Sequence, residues 1–220
     1  MIGLFGTLLF CFGFLSFVAQ SKMQFRTACL KNSIDLQRQI IKSEKTLFAL
    51  NPLSTALQAQ YDLTQAELVA ASLANNYPVV IKLEADLIKI KFDQAKLDSL
   101  QKSIIASSQI LITTSVTKLT NQFQSDSQRL NNLWSGFLDI FYVIHFPNKT
   151  QISVKAVTSG VAPNYELTSQ YKESQKVAFV WQMKYLTRTD QQKLIQAENQ
   201  FEVSCQALPN KSGDQWNIEI

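Results

Sequence analysis

Apolar and polar positions along this chain follow three regimes: a continuous apolar run, then helical spacing, then alternation. The continuous run is Ile2 to Ala19, IGLFGTLLFCFGFLSFVA, eighteen residues without a charge. As a helix it measures roughly 27 Å, close to the ~30 Å thickness of a bilayer's hydrocarbon core. That length predicts a transmembrane anchor over residues 1–21. A cleaved signal peptide is the alternative, with Ala19-Gln20-Ser21 as the small-x-small site. The missing basic n-region and the length of the apolar run argue against cleavage.

Helical spacing continues from Lys22 to Leu50 through Leu30, Ile34, Ile41 and Phe48, with Gln37 and Glu44 as polar interruptions. Asn51-Pro52 ends this stretch, and Ser54 is a candidate cap for the next helix. There Ala56, Ala59, Leu63, Ala66, Ala70 and Leu73 recur in strict three- and four-residue steps. A seam of this kind lets another helix approach closely, and ordinary core packing between antiparallel helices accounts for it as well. Asn75-Asn76-Tyr77-Pro78 reads as a turn, with Pro78 placed to start a third helix.

The third helix carries a heptad. Leu83, Ile90, Leu97, Ile104 and Leu111 recur every seven residues, and Val80, Leu87, Gln94, Gln101, Ser108 and Ser115 complete the seam. From Pro78 to about Asn121 it would run on the order of 65 Å. We expect it to form an αα-hairpin with the second helix; an oligomeric coiled coil is the alternative. Polar Gln122 to Asp126 is expected to end or kink it. The aromatic-rich stretch from Leu130 to Phe146 (Trp134, Phe137, Phe141, Tyr142) is expected as a helix packed under a sheet, with His145 partly buried in it.

Alternation follows. Ile152, Val154 and Ala156 form one candidate strand, and Val177, Phe179, Trp181, Met183 and Tyr185 share a face of a second. Phe201, Val203, Cys205 and Ala207, and then Trp216, Ile218 and Ile220, read as a closing hairpin. The fold class expected is therefore α+β: a membrane helix running into a helical stem and hairpin, then a four-stranded antiparallel sheet on the aromatic helix. Its expected segments are 1–21 as anchor, 22–122 as stem and hairpin, and 123–220 as α+β domain.

Composition sharpens this picture at one place. The net charge of +4 lies entirely between Lys22 and Lys45, where six bases face Asp35 and Glu44, and the rest of the 220-residue chain is balanced. This is a basic collar beside an apolar run, not a basic surface for nucleic acid. Taken alone, the positive-inside rule puts the body on the cytoplasmic side. Cys29 and Cys205 could form one disulfide, or remain two buried thiols.

Candidate chemistry is sparse. One histidine cannot supply a two-histidine site, and no phosphate-binding glycine loop, GxSxG, CxxC or HExxH occurs. We expect no enzyme activity, no catalytic residue, no cofactor, no metal, no nucleic acid and no small-molecule substrate.

An apolar N-terminal helix (Ile2–Ala19) running into an amphipathic one, followed by a C-terminal antiparallel sheet, resembles the layout of bacterial pilin-like envelope proteins. The family's processing motif is absent, since no acid precedes Asp35. The resemblance implies a single-pass assembly subunit of an envelope apparatus, pilin-like or secretion-associated, with an extracytoplasmic body. Its partners would be the membrane and other protein chains or copies of itself. A membrane-tethered binding module, with the sheet as its recognising end, is the alternative.

Overall fold

A computed structural model describes residues 2–134, 138–145, 150–187, 199–212 and 215–220. Three long helices come first: α1 (Ile2–Phe48), α2 (Asn51–Leu73) and α3 (Tyr77–Trp134). Then follow β1 (Leu138–His145), β2 (Val154–Ala156), β3 (Tyr165–Leu167), the single turn α4 (Tyr171–Ser174), β4 (Val177–Thr187), β5 (Asn199–Ser212) and β6 (Gln215–Glu219). The chain divides into two compact units, each built from separated segments.

The first unit comprises residues 1–38, 113–150 and 175–220. Its sheet is antiparallel in the order β1-β4-β5-β6. Val203, Cys205 and Ala207 turn inward from β5, while Glu202, Ser204 and Gln206 face solvent. The sheet's inner face meets Phe25 of α1 and the last turns of α3. Trp181 of β4 is buried against Phe25, and Phe25 also meets Phe123 of α3 with ring centroids 5.5 Å apart. Cys29 and Cys205 are joined by a disulfide, Cα atoms 6.1 Å apart, and Ser33 Oγ lies 3.4 Å from Cys205 Sγ.

The second unit comprises residues 39–112 and 151–174: the end of α1, all of α2, the first part of α3, and the β2–β3 ribbon. The start of α2 holds the ribbon. Asn51 acts as a strand partner to Tyr165, its Nδ2 donating to the Tyr165 carbonyl at 2.8 Å while its Oδ1 accepts from the Tyr165 N–H at 2.9 Å. Ser54 is not a cap; its buried hydroxyl donates to the Ala162 carbonyl. From α3, Gln101 Nε2 donates to the Pro163 carbonyl at 3.0 Å. Gly160 has φ of 146°, and a Cβ there would come 2.9 Å from Gln58 Oε1, so the position requires glycine. Helix α2 ends in a Schellman motif, with Asn76 N–H donating to Ala71 and Asn75 N–H to Ser72, Asn75 being left-handed at φ 56°.

Several expectations are corrected. Among the described residues no helix is long and apolar enough to cross a membrane. The apolar run is the first part of a 47-residue helix. The expected single-pass anchor over 1–21 therefore falls, and with it the membrane-anchored, extracytoplasmic placement.

The expected sheet is also different. Its Ile152–Ala156 strand belongs to a separate two-stranded ribbon with β3, and its place in the four-stranded sheet is taken by β1. The aromatic segment is thus not a helix beneath the sheet but an edge strand within it, paired from Leu138↔Thr187 to His145↔Val180. A short run rich in β-branched and aromatic residues is equally compatible with strand, and strand wins here. Phe137 and Phe146 lie outside the described residues, as does the side chain of His145.

Helix α3 does not stop at Gln122–Asp126 but runs to Trp134, and Phe123 and Ser127 continue its buried side. Its heptad also drifts. Gln94, Leu97, Gln101 and Ser108 are buried as expected, but Leu111 is 37% exposed while Ile112 is 1% exposed, and the buried side then continues through Leu119 and Phe123. A straight helix has 3.6 residues per turn, so a strict seven-residue repeat rotates off its face by about 20° each heptad.

Candidate interaction surface

The six-residue seam of α2 does not pack inside the hairpin. Ala56, Ala59, Leu63, Ala66, Ala70 and Leu73 are all exposed, Leu63 at 62% and Leu73 at 81%. The opposite side of α2, formed by Ser54, Leu57, Gln58, Tyr61, Thr64, Leu68 and Ala71, is buried or half-buried. Gln94 of α3 donates to Gln58 Oε1 at 3.4 Å, and Lys91 Nζ lies 5.7 Å from the Tyr61 ring centroid. Spacing placed the six residues on one face; burial shows that face turned outward. The core-packing explanation of the seam is overturned.

A second outward stripe went unnoticed in the sequence. On α3, Ile81, Ala85, Ile88, Phe92 and Ala95 advance in alternating steps of four and three. All five are exposed, Ile88 at 70% and Phe92 at 68%. They lie opposite the buried side of Ile90, Gln94, Leu97 and Gln101. The signal was present as a second heptad on the same helix, masked by the stronger Leu and Ile repeat.

The two stripes carry different charge along their borders. Helix α2 contains Asp62 and Glu67 and no Lys or Arg, because none occurs between Lys45 and Lys82. The α3 stripe is flanked on one side by Lys82, Lys89 and Lys96, one heptad apart and all exposed. Two exposed apolar stripes with charged borders have the composition of helix-packing surfaces, with apolar positions supplying contact and flanking charges supplying choice of partner.

Outside this surface, the disulfide brings the two predicted cysteines together within the first unit. Among the described residues no group of three or more His, Cys, Asp or Glu side chains is placed to hold a metal ion. A cleft of about 470 Å³ in the first unit is lined by Phe17, Gln20, Gln24, Phe25, Asp126 and Arg129 among others. No protein family, curated protein or solved structure matches this chain.

Proposed function

We propose that this protein is a structural assembly subunit that works by packing the outer faces of its helical hairpin against other protein chains. The observation that carries the reading is the exposure of the α2 stripe: six apolar residues at helical spacing, with Leu63 and Leu73 more than half exposed. An amphipathic helix normally turns its apolar stripe to the core. Here α2 keeps a half-polar side inward, with Ser54, Gln58 and Thr64, and presents its regular apolar side to solvent. Such an inversion costs stability in an isolated chain and is offset when a partner covers the stripe. The disulfide supports the same reading, since a covalent tie across 176 residues suits a protein that keeps its shape under load.

Alkylation of a Leu63→Cys variant tests it, with the unsubstituted chain as background for its own thiols. In native extract of cells that make the protein, Cys at position 63 should react far more slowly than after unfolding in urea. Equal rates would mean an uncovered stripe and would sink the reading.

A further inference from the structure

We infer that the α2 stripe of one copy packs against the α3 stripe of a second copy of this chain, so that hairpins join side by side in a head-to-tail series. This rests on the assembly reading and names its partner. Three observations lead to it. First, the stripes are of similar length: Ala56 to Leu73 covers about 26 Å of helix and Ile81 to Ala95 about 21 Å. Second, they match in texture. The α2 stripe is mostly alanine with two leucines, a surface of shallow holes, whereas α3 presents Ile81, Ile88 and Phe92 as knobs.

Third, the borders are complementary. Asp62 and Glu67 flank the stripe of α2, a helix with no base of its own; Lys82, Lys89 and Lys96 line one edge of the α3 stripe, and Glu84 with Lys91 the other. Charges in these flanking positions choose partner and register. Pairing α2 with α2 would oppose acid to acid, and pairing α3 with α3 would oppose lysine to lysine. The mixed pairing sets the acids of α2 against the mostly basic borders of α3. Because the two faces differ and lie on opposite helices, each copy that docks leaves one stripe of each kind free. The contact is heterologous and propagates as an open series or closes as a ring.

Sedimentation velocity on the full chain across a concentration series tests this, using the wild type, Leu63→Asp and Ile88→Asp, with circular dichroism reporting helix content. Both substituted residues are mostly exposed, so neither change removes core packing. The wild type should form concentration-dependent species beyond a dimer. Each variant alone should lose association by more than about tenfold. An equimolar mixture of the two should form a dimer and stop, because each retains the stripe that the other has lost.

Dimers of Ile88→Asp alone would mean α2-to-α2 pairing and overturn the proposal. So would wild-type oligomers that neither variant weakens, or a wild type that stays monomeric. Should either variant misfold, Asp62→Lys with Glu67→Lys gives the same information. That pair should weaken association, and mixing it with Lys82→Glu, Lys89→Glu, Lys96→Glu copies should restore it; no restoration counts against the pairing. A monomeric wild type whose position 63 is nonetheless protected in extract would leave the assembly reading standing with a different partner. Reaction at equal rates would end both.

Discussion

The indole of Trp181 lies stacked on the ring of Phe25, centroids 4.2 Å apart and planes 15° from parallel. Stacking fixes the indole's plane, and its edge then has one place to go: Nε1–H donates to Ser127 Oγ at 3.0 Å. The hydroxyl in turn donates to the Phe123 carbonyl one turn back at 2.7 Å. A strand, the N-terminal helix and the end of α3 therefore meet at one buried polar point, with Trp181 2% and Ser127 1% exposed.

Ser127→Ala leaves the indole N–H buried without an acceptor and should cost about 1–3 kcal/mol. Trp181→Phe in that background should cost less than in the wild type, because the donor is then already absent. Urea unfolding of the two single variants and the double variant measures the coupling. Additive losses would mean that the hydrogen bond contributes nothing beyond packing.

The same unit is closed covalently. Cys29 and Cys205 are 2% and 6% exposed, and their bond closes a loop of 176 residues. Joining distant positions restricts the unfolded chain, so Cys29→Ala should lower stability by about 2–5 kcal/mol. Reductant should lower the wild type by a similar amount and leave Cys29→Ala unchanged. A wild type indifferent to reductant under unfolding conditions would show that the two thiols are not joined.

How much of this was legible in the sequence depends on what each signal encodes. Period identifies a face, and it found the buried side of α3 through Gln94, Leu97, Gln101 and Ser108. Period does not say whether a face turns in or out, and so the α2 stripe was read without its direction. Composition of a short run leaves helix and strand degenerate; only pairing with β4 made Leu138–His145 a strand. Residue type was least informative for the polar clasp. Asn51 and Ser54 looked like helix-boundary residues, yet they satisfy the backbone of a ribbon more than 100 positions away. Nothing local distinguishes a cap from a long-range partner.

Gln37 shows the reverse case, a polar interruption that is buried all the same. It is 0% exposed, and neither its Oε1 nor its Nε2 finds a hydrogen-bond partner among the described residues. A buried amide with both ends unmatched carries a desolvation cost that an apolar side chain of similar length avoids. Gln37→Met should raise stability by about 1–3 kcal/mol, read as a higher urea midpoint at unchanged slope. A loss of stability would mean that the amide is bonded in solution.

The second unit should lose stability in alkali. Burial pushes the Tyr165 hydroxyl above its ordinary value of 10.0, the Asp98 carboxylate pushes it further the same way, and Lys102 partly opposes them. Lys102 is itself raised from 10.5, chiefly by its hydrogen bond to Asp98 at 2.7 Å. Both groups hold their protons more tightly folded than unfolded. Their contribution is complete below the unfolded values and drains away as pH rises through the raised folded ones. Thermal midpoints should therefore be level approaching pH 10 and fall above it. Tyr165→Phe keeps the ring and deletes the titrating hydroxyl, so its midpoint should fall less steeply over the same range. Lys102 is exposed and its share is screened by solvent, which makes the tyrosine the larger part of the difference. Absorbance at the tyrosinate band, compared between wild type and variant, should show one ring ionising later than the others. If wild type and Tyr165→Phe decline in parallel above pH 10, the alkaline loss originates elsewhere in the chain.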